Sequence, residues 1–152
     1  MRQALEAHRR AEGFTLIELM IALALAAILM GIALPNYGGF ALRGRVTAAT
    51  AVLLDLRNRM EQRYADQRTY ADVSNASRCA IANFSDADSS FSFSCTLGSS
   101  GQSFVWQATG VGATAGFSYS IDDAGQTQTL AVPSGFSARA MPANQFLTRK
   151  GS

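Results

Sequence analysis

One carboxylate inside an otherwise uninterrupted apolar run constrains this chain more than any other feature. Residues 19–34, LMIALALAAILMGIAL, carry no charge and no strongly polar side chain, and Phe14, Leu16 and Ile17 extend the run upstream past Glu18. As an α-helix rising about 1.5 Å per residue, residues 14–34 reach roughly 30 Å, the thickness of bilayer hydrocarbon. The segment is therefore competent to span a membrane. A carboxylate within it costs about 2.5–3.5 kcal/mol near a helix centre on insertion scales, and less near an end. The helix dipole favours Glu18 if it sits in a first turn, which explains the residue without any function. A functional explanation needs a cationic partner. Cleavage between Gly13 and Phe14 supplies one, because a carboxylate four residues on can meet the new ammonium of a neighbouring subunit and set the register between them.

The flanks of the run narrow its meaning. A secretory signal would place a small-residue cleavage site after a short apolar core, whereas here Pro35, Asn36 and Tyr37 follow. Arg2, Arg9 and Arg10 precede the run and Arg43 and Arg45 follow it, so the basic residues do not set its orientation. Cys79 and Cys95 lie downstream and favour export to an oxidising compartment. A bridge between them would close a loop of about fifteen residues, worth roughly 3 kcal/mol by loop-closure entropy; two free thiols are the alternative.

Beyond the run the pattern changes. Gly31 and Pro35 are breakers, costing about 1 and 3 kcal/mol relative to alanine in a helix, so any loosening of the helix centres on residues 31–39. Val46, Ala49, Leu53, Leu56, Met60 and Tyr64 then recur at three- and four-residue steps, with Arg45, Asp55, Arg59, Glu61 and Arg63 on other faces. This is an amphipathic helix that ends before residues 69–77. Phe91, Phe93, Cys95 and Leu97 alternate with Ser92, Ser94 and Thr96, the period of a half-buried strand. Residues 104–106 suggest a second strand. Phe117, Tyr119 and Ile121 mark a third, turning through residues 122–125 into residues 126–130. The head is rich in small residues and turns. Residues 133–152 have no clear period and should wrap the head as irregular chain.

Little in the composition points to catalysis. His8 is the only histidine, and cleavage after Gly13 would discard it, leaving no imidazole for acid–base work or metal ligation. No nucleophile elbow, phosphate loop or paired zinc-ligand motif appears. No catalytic residue, metal site or cofactor is expected. Asp86, Asp88, Asp122 and Asp123 lack EF-hand spacing and read as solvated turn residues. With 13 lysines and arginines against 11 acidic residues, net charge does not imply a polyanion partner. Arg139, Arg149 and Lys150, near Phe136 and Phe146, could meet phosphates and bases, but three charges make a small patch.

The segment RRAEG-FTLIEL, with Gly13 before Phe14 and Glu18 as the fifth residue after the break, resembles the cleavage motif of type IV prepilins, and the resemblance continues through Pro35 and Tyr37 across about the first seventy residues. It departs at Ala27, where many pilins carry glycine, and in having no cysteine in the C-terminal segment. The resemblance implies cleavage after Gly13 by a prepilin peptidase and N-methylation of Phe14. It also implies assembly through Glu18 and a helix interrupted near Pro35. The expected organisation is a leader at 1–13, an apolar assembly helix with a loosened end at 14–39, and a globular head at 40–152. The expected fold is α+β: a long N-terminal helix with its C-terminal half packed on a small antiparallel sheet. The chain would begin as a single-pass precursor in the bacterial inner membrane, engage an assembly platform there, and end in a surface pilus among other pilin subunits. It reads as a minor pilin serving adhesion, twitching motility or DNA uptake. The alternatives are a DNA-binding pilin and a pseudopilin of a type II secretion system.

Overall fold

The computed structural model describes residues 13–81, 84, 89–136, 141–149 and 151, with the backbone alone described for residues 32–36. Among the described residues one α-helix, α1, runs over Leu16–Gln67 and is followed by four strands: β1 Phe91–Leu97, β2 Phe104–Gly110, β3 Ser118–Asp122 and β4 Thr127–Ala131. The chain divides into two compact units, Met1–Gly38 and Gly39–Ser152.

Within the second unit the strands form one antiparallel meander, β1-β2-β3-β4. The register explains the alternation seen in the sequence. Phe93 pairs with Ala108 and Cys95 with Trp106, and across the next ladder Trp106 pairs with Ile121 and Ala108 with Tyr119. Paired residues share a face, so one side of the sheet presents Phe91, Trp106, Ala108, Tyr119 and Ile121 together. Onto that core pack Val46, Ala49, Leu53, Leu56 and Met60 of α1, all buried. Each large side chain buried in this layer contributes roughly 1.5–3 kcal/mol. The two periodicities, 3.6 on the helix and 2 on the strands, therefore meet in a two-layer α/β core.

The end of α1 is tied to the turn between β1 and β2. Arg68 takes up a left-handed conformation (φ 58°) just past the helix, and its N–H donates to the Tyr64 carbonyl at 2.8 Å. Tyr64 Oη donates to Gln102 Oε1 at 2.8 Å, Gln102 Nε2 donates to the Arg68 carbonyl at 3.2 Å, and Tyr70 N–H donates to the Gly101 carbonyl at 2.9 Å. Gly101 (φ 68°) is required here, since a Cβ would sit 2.7 Å from Thr69 Oγ1.

The C-terminal segment straps the outer edge of β4. Thr129 and Ala143 exchange backbone hydrogen bonds at 2.8 and 3.0 Å, Leu147 N–H donates to Thr129 Oγ1 at 2.9 Å, and Tyr119 Oη donates to the Leu147 carbonyl at 2.9 Å. The irregular wrapping expected for this segment is found in its described part. β2 extends beyond residue 106 to Gly110 because Ala108 is a core position too small to register as an apolar signal. β4 begins one residue later than expected.

Residues 31–39, where a loosened helix end and an interruption near Pro35 were expected, are helical throughout. Helix propagates from either flank, and a break there would require a second costly nucleation. Among the described residues no helix is long and apolar enough to cross a membrane. The apolar run of the sequence continues through residue 34, past Met30, the last described side chain of that stretch.

Candidate assembly segment and head surface

Gly13, Phe14 and Thr15 precede the first helical residue and line one surface recess together with Glu18. Thr15 is the N-cap: its Oγ1 accepts from the Glu18 N–H at 3.3 Å, and its carbonyl accepts the first helical bond, from Leu19 N–H, at 3.2 Å. Glu18 thus sits at the third helical position, where a carboxylate faces the positive end of the helix dipole. The cap was missed at the sequence level although Thr15-Leu16-Ile17-Glu18 fits the Thr-x-x-Glu signature of a helix start. The Gly13–Phe14 peptide bond lies outside the helix, and Phe14 is 84% exposed. A Cβ at Gly13 would meet nothing within 4 Å, so this fold makes no steric demand for glycine at that position. The apolar side chains that follow, among them Leu16, Ile17, Leu19, Met20, Ile21 and Leu23, are exposed as well. The side chain of Pro35 lies outside the described residues, as do residues 1–12.

On the head, Cys79 and Cys95 are joined in a disulfide with a Cα–Cα distance of 6.1 Å. It staples the loop after α1 to β1, and Ala71 and Cys79 form an isolated bridge beside it. Tyr70 donates to Glu61 Oε1 at 3.0 Å and stacks on Tyr64 with centroids 4.6 Å apart. Burial, and secondarily the bond to Glu61, push its phenol up to about 12. Burial likewise raises the Tyr119 phenol. The Asp72 carboxyl is held below its usual value by the Ser74 hydroxyl and then the Ser74 N–H, the latter at 2.7 Å.

Of the three basic residues considered for nucleic-acid contact, Arg149 is exposed on the C-terminal segment, and Arg139 and Lys150 lie outside the described residues. Asp122 Oδ1 accepts from Gln126 N–H at 2.7 Å within the β3–β4 turn, and Asp123 Oδ1 accepts from Phe104 N–H at 3.4 Å, tying that turn to the start of β2. Asp86 and Asp88 lie outside the described residues, and among those described no group of His, Cys, Asp and Glu is placed to hold a metal.

Comparison with known proteins matches both parts of the chain. The family described as "Prokaryotic N-terminal methylation motif" matches residues 8–34. The family described as "Type IV minor pilin ComP, DNA uptake sequence receptor" matches residues 35–120. The chain is 33% identical over 107 residues to the type IV wide pilus major component PilA4 of Thermus thermophilus, covering 66% of this chain and 82% of that protein. It is 38% identical over 66 residues to the type IV major pilin protein PilA of Myxococcus xanthus; this match covers 43% of the chain but only 30% of the Myxococcus protein. A solved type IV pilin from Shewanella oneidensis aligns with a TM-score of 0.43 at 18% identity, covering 56% of this chain and 88% of that one.

Proposed function

This chain belongs to the type IV pilins and is a structural subunit of a pilus, and on that premise we propose that a prepilin peptidase cuts it between Gly13 and Phe14, that Phe14 is then N-methylated, and that Glu18 sets its register in the filament. The observation that carries this reading is the geometry of the start of α1. The bond to be cut is exposed and non-helical, which a peptidase needs in order to seat it, and the helix cap begins one residue later. Cutting there places a new ammonium at Phe14, four residues from Glu18. Within one subunit the cap and the dipole already satisfy the start of the helix, so the carboxylate is available to a neighbour's ammonium. Pairing offsets the cost of burying either charge among apolar helices.

The apolar segment anchors the precursor in the inner membrane as a single pass, where it meets the assembly platform, and later buries itself among neighbouring helices. Loosening at residues 31–39 belongs to that packed state: Gly31, Gly38 and Gly39 are positions where a Cβ would meet nothing in the subunit, so their use lies in the filament. The subunit is a minor pilin in this reading, after the family matched at residues 35–120. Its relatives are pilus components, and the secretion-pseudopilin reading is not carried further.

The test is the mass of the N-terminal peptide from cells with and without the peptidase. A methylated Phe14 start that requires the peptidase supports the proposal; a Met1 start in both strains overturns it. Abundance in sheared pili separates minor from major.

A second reading, DNA capture, is favoured because the same matched family is named for a DNA uptake sequence receptor. It predicts salt-sensitive DNA binding that falls when Arg139, Arg149 and Lys150 are replaced by alanine together. Binding unchanged in that variant would remove those residues from any contact surface.

A further inference from the structure

The loop between α1 and β1 carries the sequence Asp72-Val73-Ser74-Asn75-Ala76-Ser77-Arg78, within which Asn75-Ala76-Ser77 has the Asn-x-Ser pattern of an N-glycosylation acceptor. The pattern alone is common, and its presentation is what matters here. Asn75, Ala76 and Ser77 are all exposed. The loop is nonetheless held in one shape. Asp72 N–H donates to the Arg78 carbonyl at 2.8 Å, Arg78 N–H to the Asn75 carbonyl at 3.0 Å and Asn75 N–H to the Asp72 carbonyl at 3.2 Å. The Ala71–Cys79 bridge and the Cys79–Cys95 disulfide close its base. At the tip, Asn75 Oδ1 accepts from the Ser77 N–H at 3.0 Å. That bond draws density from the amide through its oxygen and turns residues 75 to 77 about the side chain. An aspartate would accept the same bond, so the turn accounts for the oxygen of residue 75 but not for its NH₂ group.

We propose that Asn75 is a glycan attachment site on the exported head, an inference that rests on the pilin reading for its compartment. The donor is an oligosaccharide carried on a lipid diphosphate. Asn75 Nδ2 forms a bond to the sugar's anomeric carbon, the bond from that carbon to the diphosphate oxygen breaks, the lipid diphosphate leaves with the bonding electron pair, and Nδ2 gives up one proton to water; nothing is oxidised or reduced. Ser77, whose N–H is bonded to Asn75 Oδ1, is the hydroxyl residue two positions on that the acceptor pattern requires. A second Asn-x-Ser pattern, Asn83-Phe84-Ser85, stands nearby in the sequence, with Asn83 and Ser85 outside the described residues.

The experiment is mass spectrometry of the full chain isolated from pili of its own host. Trypsin cutting after Arg68 and Arg78 releases residues 69–78 as one peptide holding Asn75 alone of the two patterns. The expected result is a sugar-mass increment on that peptide, removed by a glycan amidase in heavy-oxygen water with label left at position 75. The increment should be absent in N75Q and S77A and present in S77T, which keeps the hydroxyl. Recovery of the 69–78 peptide wholly unmodified, or sugar only on the peptide containing Asn83, overturns the proposal. The same digest reports the premise: residues 79 and 95 linked as a disulfide show that the head was exported, whereas two free thiols would overturn the export reading and this proposal with it.

Discussion

Reducing the Cys79–Cys95 disulfide should lower the head's thermal midpoint by about 13 °C. The bond joins residues 16 apart in sequence, and loop-closure entropy for a ring of that size amounts to about 3 kcal/mol at 25 °C. The second unit, residues 39–152, unfolds with an entropy of about 2.1 cal/mol/K per residue, which converts that energy into the stated shift. Reduction is the cleaner perturbation because both sulfurs stay in place: Cys79 is 3% exposed, and replacing it would add a packing loss to the entropic one. The loss is confined to the loop after α1 and to β1, an edge strand, so Trp106 and the β2–β3 ladder should melt together with α1 as before. The assay is a thermal scan of the full chain in detergent with and without a thiol-free reductant, following tryptophan fluorescence and far-ultraviolet circular dichroism. A shift smaller than about 3 °C would refute the reasoning. It would mean that the unfolded chain already keeps residues 79 and 95 close, leaving no entropy for the bond to remove.

Three other outcomes can be checked. Tyr70 and Tyr119 have raised phenols in the folded chain, so the native state holds these protons more tightly than the unfolded one. Their stabilisation is complete below the unfolded value of about 10 and is lost as pH rises from there toward 12; a midpoint-versus-pH curve should flatten in Tyr70→Phe. Gly125→Ala should cost about 1–2 kcal/mol in denaturant titration, because residue 125 sits at φ 78° with the Arg57 guanidinium carbon 3.2 Å from the added methyl. Thr15→Ala removes the cap and should fray the first turn of α1 by about 1 kcal/mol while leaving filament incorporation intact, whereas Glu18→Ala should leave membrane insertion unharmed and abolish incorporation; equal effects on pilus assembly would show that Glu18 acts only as part of the helix start.

The periodicities at residues 46–60 and 91–97 made the buried face of α1 and the inner face of β1 legible, because burial of one face writes its period directly into the chain. The Gly13–Phe14 junction and Glu18 stood out in the sequence for a different reason, since a glycine that the fold does not need and a carboxylate in an apolar run both stand against the local pattern, and the roles proposed for them rest on that. The sequence also allowed the Cys79–Cys95 pairing but left free thiols open. Only the tertiary structure decided that pairing, along with the meander order, the anchoring of β4 by the C-terminal segment, and the roles of Thr129 and Thr114. Both threonines are fully buried. Thr114 Oγ1 serves the Ser90 carbonyl and receives the Val111 N–H, and Thr129 Oγ1 donates to the Gln145 carbonyl. A hydroxyl that satisfies a distant carbonyl, Ser90 for Thr114 and Gln145 for Thr129, leaves no periodic trace, because that partner is chosen by the closing of the fold and not by its neighbours in the chain.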